Sequence, residues 1–572
     1  PSFQVDFKED YARMIDTLRM VNPEIKIFIA QLSPIFPGHR RFKSGTREWH
    51  QAIQSIIPQI AKANKVEIID FFTQLHTRPD LVPDQIHPLK EGAEILAQSV
   101  YQSITGDFGG LRLSELFQNG AVIQSGDQTT VFGTANASDS VSILFQDKIL
   151  HTKVSSSGTW LIEFSDLEVG GPFPLVVRQE KNTITVDSIY VGDVWLLMGQ
   201  SNLEWSVKQE IFDQIDNNIF SLHFKPIVRP GNFQWPDSLL NQTNSLDFFS
   251  KKWSSIHSNP EFSSVGYYFG HYLREKIQVP IGLVQIALGG APIESFISRK
   301  DLENDDLLVD IFKDWSQSDF VMKWVRERAI ENVGKENRHP FHPSYIYESA
   351  IQDFLPYSIK GVLWYQGESN THNPGLYKKM YRYMVEHFRD YYQREVPFYF
   401  VQLPGMDRNE WPYFREMQAS LTEEIPQNFM AVALDLGDSL DVHPPDKREI
   451  SKRLAQLVLH ESYGMSQERA YPPKPVRAEY HNNTINIQFS TPGTLISEQS
   501  DNLIGFEWVD NRGIRKPAKA HLSENQVLIP LGDSSDIPKE VYFGFSPFSR
   551  VSLTDETGLQ VAPFRIHISK EK

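Results

Sequence analysis

The chain contains no cysteine, which excludes disulfide bonds, thiolate catalysis and cysteine-ligated metal. It has no apolar run long enough to span a bilayer, so membrane insertion is not expected. No glycine-rich phosphate loop of the P-loop or dinucleotide-binding type occurs, and nucleotide chemistry is therefore not expected either. The net charge of −16 also argues against nucleic acid as a partner, because two acidic surfaces repel each other.

The 572 residues are too many for one hydrophobic core, and their patterning divides the chain into segments. Helical and strand patterns alternate in two of them, which are residues 1–107 and 191–465. Short strands with alternating apolar residues, separated by turn residues, are typical of residues 108–190 and 466–572. The fold class predicted is α/β with antiparallel β-sandwich modules beside the larger α/β domain. The first segment offers only two strands, which is about half of a domain.

The stretch most informative for function is the short apolar run 194–198, which is followed by Gly199-Gln200-Ser201-Asn202. Its length and its glycine stop favour a buried parallel strand. A serine just beyond the carboxyl end of such a strand lies where open α/β sheets bind ligands, and the glycine permits the sharp turn. The alternative reading is that Ser201 caps the next helix.

Five strands separated by helices predict a mostly parallel, three-layer sheet for 191–465. Their predicted ranges are 194–198, 281–288, 361–365, 397–403 and 429–436. Because the carboxyl ends of parallel strands open on one edge, residues far apart in sequence can meet there.

A candidate for catalysis at that edge is the pair of Ser201, after the first strand, and His443, after the last. A hydroxyl is a poor nucleophile without a base, and an imidazole with a pKa near ~6.5 can take its proton. Asp441 is the nearest carboxylate that could orient the imidazole. The alternative is a metal site made by His443 with Asp438, Asp441 and Asp446, although catalytic zinc usually recruits more than one histidine.

Donors for a developing oxyanion are predicted after two other strands of the sheet. Gly289 and Gly290 offer backbone amides, and Gln366 offers a side-chain amide. Together with the serine and histidine, they make acyl transfer to water the natural reaction. The Gly-x-Ser-x-Gly elbow of α/β-hydrolases is absent around Ser201, so that fold is not supported.

Taken together, these motifs resemble those of the sialate O-acetylesterases, which are carbohydrate esterases of the SGNH hydrolase superfamily. They comprise 199–202, 289–290, 364–370 and 441–444, and the similarity covers about 108–572. The resemblance implies a flavodoxin-like, three-layer SGNH (GDSL-like) domain and a secreted or periplasmic protein. It also implies that the enzyme uses no metal or cofactor and releases acetate from O-acetylated sialic acid, typically at the 9 position.

For the individual residues, the resemblance implies Ser201 as nucleophile and His443 as base. The oxyanion hole would comprise the Ser201 amide, a glycine amide at Gly289 or Gly290, and the Gln366 side chain. The superfamily's acid usually stands three residues before the histidine, but that position is Leu440 here. Two alternatives therefore stay open, namely a triad with Asp441 and a Ser–His dyad oriented by a backbone carbonyl.

Residues 1–107 resemble the carboxyl half of a second SGNH hydrolase domain. Asp84 and His87 match its acid and base, but no serine of this segment follows a strand in a comparable Gly-x-Ser setting. We therefore expect an incomplete site here, with the nucleophile strand upstream of Pro1 and a parent protein that carries two esterase domains.

The first functional hypothesis is a serine esterase that acts on 9-O-acetyl sialate. One alternative keeps the chemistry and changes the substrate to acetylated xylan or another polysaccharide. A second alternative, from another class, is a non-catalytic glycan-binding protein, since the chain has two β-modules and an incomplete N-terminal site.

Overall fold

The computed structural model describes residues 2–126, 128–207, 217–231, 234–235, 246–335, 337–497, 501–532, 536–551 and 553–570. Helices and strands alternate at the N-terminus and again in the middle of the chain, and β structure fills the rest. Among the described residues, no helix combines the length and the apolar character that crossing a membrane requires.

The N-terminal segment is a small α/β unit with two parallel strands, as the sequence predicts. The strands are β1 (Phe28–Ala30) and β2 (Glu67–Ile69). The helices are α1 (Ser2–Val21), α2 (Thr46–Asn64), α3 (Thr73–His76) and α4 (Lys90–Thr105). Ile15, Ile29 and Ile57 are buried together in a core of its own.

Two sheets follow in the next segment. One contains β3 (Arg112–Leu113), β5 (Thr129–Thr134) and β8 (Thr159–Phe164), and the other contains β4 (Ala121–Gln124), β6 (Ser140–Phe145), β7 (Lys148–Lys153), β9 (Gly170–Gln179) and the first half of β10 (Asn182–Gly199). Most pairs are antiparallel, but β4 pairs with β10 in parallel. The second half of β10 is the central strand of the large domain, so one continuous strand crosses the predicted boundary between residues 190 and 191.

The large sheet has the strand order β12-β11-β13-β10-β14-β15-β16. The further strands are β11 (Ile219–Pro226), β12 (Phe249–Ser255), β13 (Ile281–Ala287), β14 (Gly361–Tyr365), β15 (Phe398–Val401) and β16 (Asn428–Ala431). All neighbours are parallel except β11 and β12.

Two details of this sheet differ from the prediction. Strands β11 and β12 were not predicted, and β16 ends at Ala431 rather than at residue 436. Ala431 is the last residue of β16 that pairs with β15, opposite Val401. The chain then leaves the sheet, and Leu434–Leu436 forms a 3₁₀ helix. The order places β10 between β13 and β14, at the switch point where ligands bind in such sheets.

Helices cover both faces of this sheet and complete the predicted three layers. Those of the large domain are α5 (Ser201–Glu204), α6 (Ser264–Lys276), α7 (Arg299–Asn304), α8 (Lys323–Val333), α9 (Gln352–Phe354), α10 (Pro374–Tyr392), α11 (Trp411–Glu424) and α12 (Arg448–Glu461). Along β10, Leu196 packs into the core beneath α10 and α11, whereas Leu197 packs into the core beneath α6 and α12. Side-chain caps begin three of these helices: Ser263 accepts from Gly266 N, Ser298 from Asp301 N and Asn373 from Leu376 N, each at 3.1 Å.

The C-terminal module is an eight-stranded sheet with a separate two-stranded pair, β19 and β25. Its strands are β17 (Lys474–His481), β18 (Thr484–Ser490), β19 (Leu495–Ile496), β20 (Phe506–Asp510), β21 (Arg515–Pro517), β22 (His521–Ser523), β23 (Gln526–Pro530), β24 (Pro538–Phe543), β25 (Thr554–Asp555) and β26 (Phe564–Lys570). Asn482 and Asn483 both have positive φ, as a two-residue hairpin turn between β17 and β18 requires.

Candidate active site

Ser201 lies at the carboxyl edge of the large sheet, at the point where the central strand turns into a helix. Strand β10 ends at Gly199 and α5 begins at Ser201. Gly199 has φ +152°, and a Cβ there would lie 2.1 Å from the Tyr365 carbonyl oxygen. Only glycine fits this close approach of two backbones. As the first residue of a helix, Ser201 has an N–H group without a partner inside that helix.

His443 reaches Ser201 from the loop between β16 and α12. Its Nε2 lies 2.9 Å from the Ser201 Oγ, which is hydrogen-bond distance. The Trp205 ring stacks on the imidazole with 5.4 Å between the ring centres. On the other side of the pair, the Asn202 side-chain amide donates to the carbonyl oxygen of Val442 at 3.0 Å. The imidazole is therefore packed against Trp205, and the loop that carries it is hydrogen-bonded to Asn202, the residue after the serine.

Asp441 contacts the same imidazole, but not tightly. Its Oδ1 lies 3.4 Å from His443 Nδ1 and accepts the His443 backbone N–H at 2.8 Å. The Asp441 side chain is 63% exposed, so solvent screens its charge. Burial lowers the pKa of His443 below its ordinary value, although Asp441 acts in the opposite direction. The imidazole is consequently neutral near pH 7 and able to accept a proton from Ser201.

The predicted oxyanion donors differ in their surroundings. The Gly289 N–H donates to the Glu204 Oε2 at 2.6 Å, so a carboxylate covers this amide. Burial raises the pKa of Glu204. Gly290 has φ +80°, and a Cβ there would lie within 3.0 Å of Phe341 and Trp324. Both glycines line the same cavity as Ser201.

Gln366 follows β14 as predicted, but it is completely buried and lies outside the lining of that cavity. Its side-chain amide nitrogen lies within hydrogen-bond distance of Gln200 Oε1 at 3.0 Å, Asn370 Oδ1 at 2.7 Å and the Ala291 carbonyl oxygen at 3.3 Å. The two amide protons are thus shared among an acceptor on the same loop, Asn370, and acceptors on two neighbouring loops, rather than being directed at a ligand.

A buried polar network lies behind the serine. Asn202 donates to the Glu368 carboxylate at 2.5 Å and accepts from Lys447 Nζ at 2.6 Å. Burial lowers the pKa of Lys447 to about 8 and raises that of Glu368. Sequence reasoning missed Lys447, and the only local signal was its position four residues after His443, which places it on the same loop.

The cavity at this edge has a volume of about 440 Å³ and contains both Ser201 and His443 in its lining. Trp324 and Phe341 provide apolar surface. Three arginines, which sequence reasoning could not select among many, also line it: Arg229, Arg328 and Arg408. The volume falls in the range of roughly 300–1,000 Å³ that small-molecule sites occupy.

The predicted N-terminal pair is formed, but on an exposed surface. Asp84 Oδ2 lies 2.7 Å from His87 Nδ1, and hydrogen bonds led by that of the His87 N–H keep the pKa of Asp84 at about 2. Within the described part of the chain, no serine hydroxyl is hydrogen-bonded to His87. Across the described residues generally, no group of three or more histidines and carboxylates is arranged to bind a metal ion.

Comparison with known families gives two matches along the chain. Residues 321–460 match the family model of carbohydrate esterases described as sialic acid-specific acetylesterases. Residues 1–95 match the family of GDSL-like lipases and acylhydrolases. The first range includes Gln366 and His443, and the second includes Asp84 and His87.

Proteins similar to this chain over most of its length are also acetylesterases. Sialate O-acetylesterase of Rattus norvegicus is 28% identical over an alignment of 437 residues, and the match covers 66% of this chain and 79% of that protein. The human sialate O-acetylesterase is 27% identical over an alignment of 424 residues, and the match covers 66% of this chain and 77% of that protein. A crystal structure of a novel carbohydrate acetylesterase from Xanthomonas citri is 25% identical, with a TM-score of 0.66, and covers 80% of this chain and 99% of its own. The protein is a carbohydrate O-acetylesterase.

This O-acetylesterase is thus a relative of the sialate O-acetylesterases and carries a GDSL-like segment at its N-terminus. The predicted family resemblance and fold class are both confirmed by these comparisons. The roles of the individual site residues and the domain boundaries stay predictions.

Proposed function

We propose that the protein is a serine esterase that removes O-acetyl groups from sialic acid, with Ser201 as nucleophile and His443 as base. The observation that carries the proposal is the 2.9 Å contact between Ser201 Oγ and His443 Nε2, two residues that line a cavity. The sialate O-acetylesterase relatives support the choice of sugar.

In the first half of the reaction, His443 takes the Ser201 proton as the hydroxyl attacks the acetyl carbonyl carbon. The N–H groups of Ser201 and Gly289 or Gly290 stabilise the negative charge that develops on the carbonyl oxygen. Gly289 becomes a donor only when Glu204 releases it. Gln366 supports these loops from behind, because its two amide protons are shared among acceptors on Gln200, Asn370 and Ala291.

The tetrahedral intermediate collapses when His443 returns the proton to the sugar oxygen, which leaves as an alcohol. Ser201 then carries the acetyl group as an ester. In the second half, His443 activates a water molecule that attacks this ester, and acetate and free serine are released. Asp441 assists by favouring the imidazolium form, and its 3.4 Å separation from the imidazole makes that assistance modest.

The test is acetate release from 9-O-acetyl-N-acetylneuraminate and from acetyl-xylan, compared as kcat/KM. We expect the sialate to be the better substrate. Ser201→Ala and His443→Ala should each lower kcat by about 10³-fold or more, because each removes a group that acts only in the transition state. His87→Ala serves as the matched control, since this histidine lies in the exposed N-terminal pair and should leave kcat unchanged.

Two measurements on the wild-type protein distinguish the alternative functions. Faster hydrolysis of acetyl-xylan than of the sialate would mean that the substrate is a plant polysaccharide, and the proposed mechanism would still apply. A wild-type protein that a fluorophosphonate probe does not label at Ser201 would indicate a glycan-binding protein rather than an enzyme. The proposal includes export to the periplasm or the cell exterior, which cell fractionation of the native organism would check.

A further inference from the structure

The arginines around the cavity oppose the charge of the protein as a whole. The net charge is −16, yet Arg229, Arg328 and Arg408 all line the one cavity that contains Ser201 and His443. An acidic protein repels anionic ligands at long range, so a local cluster of cations is needed if such a ligand is to bind.

The acidic side chains of the cavity are engaged with the protein interior. Glu368 accepts a hydrogen bond from Asn202, and Glu204 accepts one from the Gly289 N–H. Glu204 Oε1 lies 3.8 Å from Arg229 Nε, which is at the limit of an ion pair. The charge of Arg408 also attracts that of Glu368, so the two carboxylates offset part of the positive charge of Arg229 and Arg408.

Arg408 differs from the other two arginines. Arg328 has the Glu331 carboxylate at 3.3 Å, whereas no carboxylate in the described part of the chain lies within ion-pair distance of Arg408. Its guanidinium lies 5.4 Å from the centre of the buried Trp411 ring, a contact that orients it without consuming its donors. Such a planar fork suits the two oxygens of a carboxylate.

We propose that Arg408, with Arg229 on the same cavity, binds the carboxylate of an O-acetylated sugar acid while the acetyl ester meets Ser201. This subsite rests on the proposed esterase function and deepens it, since it names the side chains that recognise the acid group of the substrate. Trp324 and Phe341 contribute the apolar surface against which a sugar ring packs.

The test compares each acidic substrate with its own methyl ester, which keeps the sugar and removes the charge. The pairs are 9-O-acetyl-N-acetylneuraminate and O-acetylated galacturonate, each against its methyl ester. We expect wild type to prefer the acid. Arg408→Met should lower kcat/KM for the acid by about 10- to 100-fold, the usual range for a lost charged hydrogen bond, and leave the ester within about threefold. For the acid, the kcat/KM of Arg408→Lys should lie between that of wild type and that of Arg408→Met.

Arg477→Met is the control. It removes the same charge from the C-terminal module, where Arg477 pairs with Glu479 away from the cavity. The kcat/KM values for the acid and for the ester should both equal those of wild type. Equal losses for acid and ester in Arg408→Met, or a wild type that does not distinguish them, would overturn the subsite. Preference for the acid in the galacturonate pair alone would support the subsite and reject sialate as substrate. Absence of any esterase activity would reject the proposed function together with the subsite.

Discussion

The protonation of His443 depends on two opposing influences. Burial disfavours the charged imidazolium and lowers its pKa, whereas the Asp441 carboxylate 3.4 Å away favours the imidazolium and raises it. Burial is the larger cause, so the acid limb of the activity profile should lie below pH 6.5, the ordinary value for histidine. The base works only when neutral, and activity is therefore lost as the pH falls through this pKa.

Removal of the Asp441 charge should shift that limb. We expect the acid limb of kcat/KM in Asp441→Asn to move to lower pH, because the influence that raises the His443 pKa is gone. At pH 8, where the imidazole is neutral in both proteins, kcat should fall less than about 100-fold, since Asp441 lies too far from Nδ1 for a tight triad. A pH–rate profile from 4 to 9 provides both measurements.

The matched control is Asp84→Asn in the exposed N-terminal pair, which should leave the profile unchanged. A loss in Asp441→Asn as large as that in His443→Ala would mean that the acid is essential. That result would favour the triad over the Ser–His dyad.

At the scale of elements, one asparagine connects the two loops that carry the candidate catalytic groups. Asn202 is fully buried on the helix that begins with Ser201. It donates to the Val442 carbonyl oxygen beside His443 and accepts from Lys447 Nζ. The distance between serine and histidine is thus set by a hydrogen-bonded bridge as well as by the sheet.

Asn202→Ala should therefore reduce both stability and activity. The change leaves Glu368 and Lys447 buried without their common partner, which should cost about 1–3 kcal/mol in the free energy of unfolding. It should also lower kcat, since the histidine loop loses its contact with the serine loop. Chemical denaturation and acetate release measure the two effects.

Ser201→Ala is the comparison for this variant. It removes a hydroxyl that lines the cavity, so it should abolish activity while it changes stability by less than about 0.5 kcal/mol. An Asn202→Ala protein as stable as wild type would show that the bridge makes no net contribution.

At the scale of the whole molecule, the N-terminal segment is bound to the large domain through polar contacts. Arg47 donates to the Glu303 carbonyl oxygen at 2.8 Å and to Asp306 at 2.7 Å. The His76 ring contacts the Glu303 carboxylate at 2.8 Å, and Arg338 donates to the Thr77 carbonyl oxygen at 3.1 Å. On the large domain, these contacts involve α7, Asp306 just after it and Arg338 after α8, and none of these residues lines the Ser201 cavity.

We expect Arg47→Met to weaken the docking of the N-terminal segment without a change in kcat/KM. Asp306 is 86% exposed, so its ion pair contributes little, and the bond to the Glu303 carbonyl is the larger loss. A cost of about 1–2 kcal/mol corresponds to roughly 5- to 30-fold faster hydrogen exchange in α2, which mass spectrometry would detect.

Arg13→Met provides the control, because Arg13 pairs with the exposed Asp10 on its own helix, and the exchange rates of this variant should match wild type. Unchanged exchange of α2 in Arg47→Met would show that other contacts bind the segment.

Local patterns in the sequence were sufficient for much of the fold. The glycine after the run 194–198 indicated the turn at Ser201, and Asn482-Asn483 indicated a hairpin, because both depend on backbone conformations that few residues adopt. Strand β11 was missed although Phe220, Leu222 and Phe224 alternate with polar residues, as in a strand with one buried face. Strand β12 was missed because Phe249 and Trp253 are its only apolar residues and do not alternate.

The sequence by itself determined which groups follow the strands of a parallel sheet, and hence that Ser201 and His443 belong to one edge. Only the tertiary structure decided that Glu204 covers the Gly289 amide, that Gln366 is turned inward, and that Arg408 borders the cavity. These outcomes depend on side-chain directions and on loops that are distant in sequence. No periodic pattern in the sequence indicates these contacts, because each depends on packing between secondary-structure elements rather than within one element.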